Sequence, residues 1–167
     1  MPYLLLLFLI LISGCTGLPH GVKPVTGFEV SRYLGKWHEI ARLDHSFERG
    51  LTDITAEYSL RDDGGLRVLN SGYNADTGQR QSAEGKAYFI ESPDVGRLKV
   101  SFFGPFYGGY NIIALDKANY GYAMIAGNSF DYLWILAREP TLAPDILQSL
   151  LDQAQSMGFA TENLIYP

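Results

Sequence analysis

The chain has 167 residues, 47% of them hydrophobic, which is enough for one domain around one core once a leader is set aside. Its formal net charge is −5, and its 13 lysines and arginines are spread thinly rather than gathered in a stripe, which excludes nucleic acid as a partner. With 11 tyrosines, 9 phenylalanines and 18 glycines, the composition favours strands and tight turns over a helix bundle.

The first element is an uninterrupted apolar run over residues 4–12, followed by Ser13, Gly14 and Cys15. It is too short to cross a membrane and fits the hydrophobic part of a secretory signal peptide. Ile12-Ser13-Gly14-Cys15 resembles the lipobox of bacterial lipoproteins, which implies a leader over residues 1–14 and lipidation of Cys15. Thr16 stands where an Asp would mark inner-membrane retention in that family, so the resemblance implies the outer membrane of a Gram-negative cell, with the protein held there by its lipid anchor. Cys15 is the only cysteine, which rules out an intramolecular disulfide, a CxxC redox pair and a cysteine-rich zinc site. From residue 15 to residue 27 prolines and glycines recur without a period, the pattern of a tether; fully extended it reaches ~40 Å.

Beyond residue 27 short runs alternate with turn chemistry. Strands are predicted over residues 36–42, 54–60, 66–73, 85–90, 97–103, 110–115, 120–126 and 132–138. Within them Ile54, Ala56, Tyr58 and Leu60 share one face, as do Leu66, Val68, Asn70 and Gly72, and Leu98, Val100 and Phe102. Asp62-Asp63-Gly64-Gly65, Asp76-Thr77-Gly78 and Ser92-Pro93-Asp94 supply turns. About eight strands in sequential order predict an all-β fold, an eight-stranded antiparallel up-and-down barrel wide enough inside for one small ligand.

The period then changes. Ile146, Leu147, Leu150, Leu151, Ala154 and Met157 fall on one helical stripe, with Pro144 and Asp145 suited to the first turn and Gly158 to a left-handed stop. This predicts one C-terminal helix packed outside the barrel, and residues 163–166 predict a short closing strand.

Gly35-Lys36-Trp37 at the head of the first strand resembles the Gly-x-Trp signature of lipocalins. Tyr132-Leu133-Trp134-Ile135-Leu136-Ala137-Arg138 resembles that family's final signature, and Leu115-Asp116 with Tyr120 loosely matches the middle one. The resemblance runs over the barrel domain, residues 28–167, and is closest to the bacterial and apolipoprotein D branch. It implies that Arg138 packs on Trp37 at the closed end. On physical grounds Gly35 lets the chain cross that end, Trp37 plugs it, and a guanidinium over the ring adds ~0.5–2 kcal/mol.

The phase of Arg138 and Leu136 turns Trp134 into the barrel, and the resemblance implies a cavity lined by Tyr58, Asn70 and Trp134, with Tyr110 and Phe102 as weaker candidates whose facing the sequence leaves open. The expected ligand is a single hydrophobic molecule, a fatty acid or lysophospholipid, lying beside Trp134 with Tyr58 and Asn70 near its polar end. Storage or transport of lipid at the envelope follows as the leading function, with no cofactor and no metal; a homodimer stays open.

Catalytic patterns are sparse. Asp44-His45-Ser46 holds triad residue types, but neighbours in sequence cannot form the relay, and no Gly-x-Ser-x-Gly elbow is present. His20, His38 and His45 lack zinc-ligand spacing, and Gly104-Pro105-Phe106-Tyr107-Gly108-Gly109 lacks the Lys-Ser/Thr of a phosphate loop and reads as a hairpin loop. The rivals are a lipocalin-fold enzyme using Tyr58, Glu57 or His45 as acid or base, and a packed envelope barrel without ligand. The inward faces are expected to be almost wholly uncharged, which disfavours catalysis.

Overall fold

The computed structural model describes residues 16–167; the leader and Cys15 lie outside the described residues. A short helix, α1 (Val30–Tyr33), precedes eight strands: β1 (Gly35–Arg42), β2 (Leu51–Leu60), β3 (Leu66–Asn74), β4 (Arg80–Phe89), β5 (Arg97–Phe103), β6 (Phe106–Leu115), β7 (Tyr122–Ala126) and β8 (Leu133–Ala137). Each strand pairs antiparallel with its sequence neighbour and β8 returns to β1, so the sheet closes into a barrel without an edge. The loops after β1, β3, β5 and β7 share one end, the open end. Those after β2, β4 and β6 share the other with α1.

Alternation divides the apolar residues between two cores. Inside the barrel lie Phe28, Tyr33, Trp37, Tyr58, Leu66, Val68, Leu98, Ile112, Ile125 and Leu136. Outside, Met124, Leu133 and Ile135 meet α2 (Pro144–Met157) through Leu150 and Ala154. The helix forms where the stripe predicts it, with Pro144 in its first turn and Gly158 at φ +104°, whose amide closes on the carbonyls of Ala154 and Gln155.

Three expectations need correction. Residues 163–166 form no strand: Thr161–Asn163 is a 3-10 turn, and only Ile165 bridges to Arg42. The glycine-rich stretch after Phe103 is mostly strand, since β6 begins at Phe106, and its polar backbone finds partners in β5. The stretch read as a tether is docked: Val22 is buried, the Val25 amide donates to the Ile112 carbonyl at 2.8 Å, and the Gly96 amide donates to the Val25 carbonyl at 2.9 Å. Its valines supply apolar contacts that composition alone does not reveal.

Candidate functional site

At the closed end Trp37 is fully buried, and its indole N–H donates to the Tyr33 carbonyl at 2.8 Å. The Arg138 guanidinium lies 4.0 Å from the Trp37 ring centre and donates to the carbonyls of Lys36 at 2.9 Å and Arg32 at 2.8 Å. Its Nε reaches the carbonyl of Tyr120 at 3.4 Å, so the middle signature meets the other two here. Gly35 takes φ +92°, a left-handed conformation that side-chain-bearing residues rarely adopt.

One level above this plug, three tyrosine hydroxyls join: Tyr110 lies 2.7 Å from Tyr33 and 2.7 Å from Tyr58. Burial holds the hydroxyls of Tyr33 and Tyr58 above the usual tyrosine range, so they stay protonated. The void these tyrosines enclose with Leu66, Val68, Leu98 and Val100 has about 10 Å³ of room for the centre of a water, one water's worth. The lower barrel is therefore filled.

The upper barrel differs. Ala56, Asn70, Val100, Phe102, Tyr110 and Trp134 sit on the inward faces of their strands yet are only half-buried, and Ala83, inward beside Asn70, is exposed. Solvent thus enters from the open end down to the level of Tyr110. The Phe102 ring lies over β4 at Gly85, where a Cβ would meet it at 2.9 Å, so the glycine makes room for the ring. All five residues nominated for the pocket face inward: Trp134 is nearest the mouth, and Tyr58 and Tyr110 form the floor. The Tyr58 hydroxyl is already engaged by Tyr110, and Asn70 has no side-chain hydrogen bond among the described residues.

The sequence reading missed a buried polar cluster at the mouth, and the expectation of uncharged inward faces is wrong. A β-bulge between Glu39 and Ala41 shifts the phase of β1, so Glu39 faces Leu136 and Arg42 faces Trp134, both on inward positions. The Arg42 guanidinium donates to the Glu39 carboxyl at 2.7 Å, and both side chains are only 2–3% exposed. The β1–β2 loop folds back over them. Arg42 donates to the Glu48 carbonyl at 3.1 Å, the Trp134 indole donates to the Glu48 carboxylate at 3.0 Å, and His45 Nε2 lies 2.8 Å from the same carboxylate without straight hydrogen-bond alignment. His45 stacks on Phe47 at 3.8 Å and lies tilted against Trp134 at 5.1 Å.

Burial, then the charge of Glu48, pushes the Glu39 carboxyl up to about 8 against the pull of Arg42. Burial would raise Glu48 as well, but the close His45 imidazole and the hydrogen bond from Trp134 outweigh it and hold Glu48 below the usual carboxylate range. At neutral pH Glu39 therefore keeps a proton while Glu48 is ionised. Arg42 Nε and His45 Nδ1 are buried without a hydrogen-bond partner among the described residues.

A larger groove of about 450 Å³ lies outside the barrel, between α2 and the outer faces of β6 and β7. None of Tyr58, Asn70, Phe102, Tyr110 or Trp134 lines it, and it is an open surface cleft.

Residues 28–167 match the model of the lipocalin-like domain. The chain is 53% identical over 162 residues to the outer membrane lipoprotein Blc of Vibrio cholerae, covering 97% of this chain and 95% of that one. To its counterpart in Escherichia coli K12 the identity is 54% over 159 residues, 95% of this chain and 89% of that one. Mouse apolipoprotein D is 35% identical over 147 residues, 82% and 75% of the two chains. Insecticyanin from the tobacco hornworm shares the fold, with a TM-score of 0.69 and 24% identity over 90% of this chain and 86% of that one. By its closed eight-stranded barrel, its single C-terminal helix and these matches, the chain belongs to the lipocalin family.

Proposed function

We propose that the protein carries one hydrophobic ligand, a fatty acid or lysophospholipid, in the upper half of its barrel at the bacterial outer membrane. The observation that carries this reading is the change in burial along the inward faces: sealed at Tyr58 and Val68, half-open at Asn70, Phe102 and Trp134. A bottomed, aromatic-walled crevice suits an acyl chain, whose methylenes gain about 0.8 kcal/mol each on leaving water. The chain end points to the tyrosine floor, and the polar end lies at the mouth beside Arg42, Glu39 and Glu48. Tyr58 then serves as floor rather than as a polar contact, because its hydroxyl is already taken.

Placement at the outer membrane draws on the Ile12-Ser13-Gly14-Cys15 motif, on Thr16 and on the names of the Vibrio and Escherichia relatives. Acylation of Cys15 makes attachment effectively permanent, since several acyl chains add their burial energies.

A lipocalin-fold enzyme is the weaker reading. The mouth does hold titratable groups, but Glu39 is tied to Arg42, Glu48 to His45 and Trp134, and among the described residues no serine or threonine is bonded to them as a nucleophile.

Delipidated protein titrated with palmitate or lysophosphatidylethanolamine tests the carrier reading. Tryptophan emission is expected to change saturably near one ligand per chain, and Trp134→Phe is expected to remove most of that change while Trp37 still reports. Flat titrations, by emission and by direct binding, would establish the packed barrel instead.

A further inference from the structure

Glu48 belongs to a loop, yet its side chain is only 10% exposed. A carboxylate leaves water only where other groups replace the hydration it loses. Here they converge from β8, β1 and the loop itself. The Trp134 indole donates to the carboxylate at 3.0 Å, His45 Nε2 lies 2.8 Å from it, and Arg42 steadies the loop by donating to the Glu48 carbonyl at 3.1 Å. Trp134 is also the half-buried wall residue nearest the mouth. The loop carboxylate therefore sits where the polar end of a ligand lying along that wall arrives.

Charge sharpens the point. With Glu39 protonated and the His45 imidazole uncharged, the Arg42 guanidinium and the Glu48 carboxylate balance each other in the cluster. A second anion brought in beside Glu48 meets a like charge in a site shielded from water, where repulsion is several times stronger than at the surface. Exchange removes that conflict, because an anion that takes the donors as Glu48 leaves them keeps the balance with Arg42. Arg42 Nε, buried without a hydrogen-bond partner among the described residues, is a further donor that Glu48 leaves unused.

We infer that Glu48 is a built-in stand-in for the ligand's anionic group and sets the headgroup class. The protein takes amphiphiles whose headgroup offers one singly charged anion, a carboxylate or a phosphodiester, and each enters by displacing the Glu48 carboxylate from Trp134 and His45. This rests on the carrier reading proposed above.

Calorimetric titration of the delipidated full chain at pH 7 tests the inference, with palmitate, palmitoyl lysophosphatidylglycerol and hexadecanol as ligands. Glu48→Gln keeps the side-chain length and an oxygen for the Trp134 indole but removes the competing charge. It is expected to bind the two anionic ligands about tenfold more tightly than the wild type and hexadecanol within about twofold. Tightening for palmitate alone assigns the seat to a carboxylate, and for the lysolipid alone to a phosphodiester; either supports exchange. Asp44→Asn takes a charge from the same loop but from an exposed pair with Arg49, and is expected to change palmitate binding less than about twofold. Amide hydrogen exchange on the wild type gives a readout that needs no variant: palmitate is expected to speed exchange in the β1–β2 loop, and hexadecanol to leave it unchanged. If neither palmitate nor hexadecanol binds the wild type, the carrier reading itself falls. If both bind, four results overturn exchange and leave the carrier reading standing: anionic ligands bound no more tightly by Glu48→Gln, hexadecanol tightened as much as palmitate, Asp44→Asn matching Glu48→Gln, or loop amides that palmitate does not speed.

Discussion

At the closed end Arg138, half-buried, gives its nitrogens to three backbone carbonyls and its face to Trp37, whereas at the open end Arg42 is fully buried with its Nε unpartnered. His45 Nδ1 repeats the pattern beside it. A buried donor left unpaired costs about 1–3 kcal/mol, so the open end keeps an expense that the closed end has removed. The difference separates the roles of the two ends. Packing at Trp37 holds the barrel together, while the groups at the mouth retain hydrogen-bonding capacity that a ligand's polar end can use.

Removing the plug is the most damaging test of this division. Trp37→Ala is expected to destabilise the protein by about 3–5 kcal/mol, the cost of emptying a fully buried aromatic site, and to lower the melting temperature steeply in a thermal scan. An unchanged melting temperature would show that the barrel does not depend on its closed end. Arg42→Met attacks the other end. It removes the hydrogen bond to the Glu39 carboxyl and the contact with the Glu48 carbonyl, and denaturant titration is expected to show a loss of about 1–3 kcal/mol. Equal or greater stability would mean that Arg42 is kept for ligand alone.

Why one end was legible and the other was not follows from strand phase. Alternation in residues 54–60 and 66–73 placed Tyr58 and Asn70 inward, and Gly35, Trp37 and Arg138 stood out through their resemblance to the lipocalin signatures. Glu39 and Arg42 differ by three positions, so strict alternation assigns them to opposite faces; the bulge that brings both inside has no signal in composition. His45 and Glu48 reach the mouth only through the folding of the β1–β2 loop, a contact between elements rather than a pattern within one. The first half of β4 escaped notice for another reason: residues 80–84 are all exposed, so no core face imposes an apolar period on them.

The carboxyl pair offers a finer probe, because it makes the open end sensitive to pH where the closed end is not. Glu39 is raised from 4.5 to about 8 in the folded protein. Its contribution is therefore fully present below about pH 4.5 and lost as the pH rises through about 8, with a slope of up to ~1.4 kcal/mol per pH unit between. Glu48 has the opposite sign: held below its usual range, it contributes above that range and loses its contribution as the pH falls. Between about pH 5 and pH 8 the Glu39 effect governs. Stability measured by urea unfolding is expected to fall across that window, and Glu39→Gln, which keeps the hydrogen bonds of the protonated form, is expected to flatten the fall. A variant with the wild-type slope would show that Glu39 is ionised throughout.

The smallest effect on stability discriminates between orientations of the ligand. Tyr110→Phe removes the hydroxyl shared by Tyr33 and Tyr58 and is expected to cost about 1 kcal/mol, an ordinary net value for neutral hydrogen bonds. Its effect on binding depends on which end of the ligand meets the tyrosine floor. If the acyl terminus rests there, loss of a hydroxyl makes the floor more apolar, and palmitate is expected to bind as well as before or more tightly. If the polar end were buried there instead, the variant would leave it without a donor, and affinity would drop roughly tenfold or more, as when a charged group loses a buried partner. Arg42→Met is expected to behave in the opposite sense, lowering affinity for palmitate while sparing a neutral long-chain alcohol, because only the carboxylate uses the guanidinium. A pair of titrations on these two variants therefore places the polar end at the mouth or at the floor, and a loss confined to Tyr110→Phe would reverse the orientation proposed for the ligand.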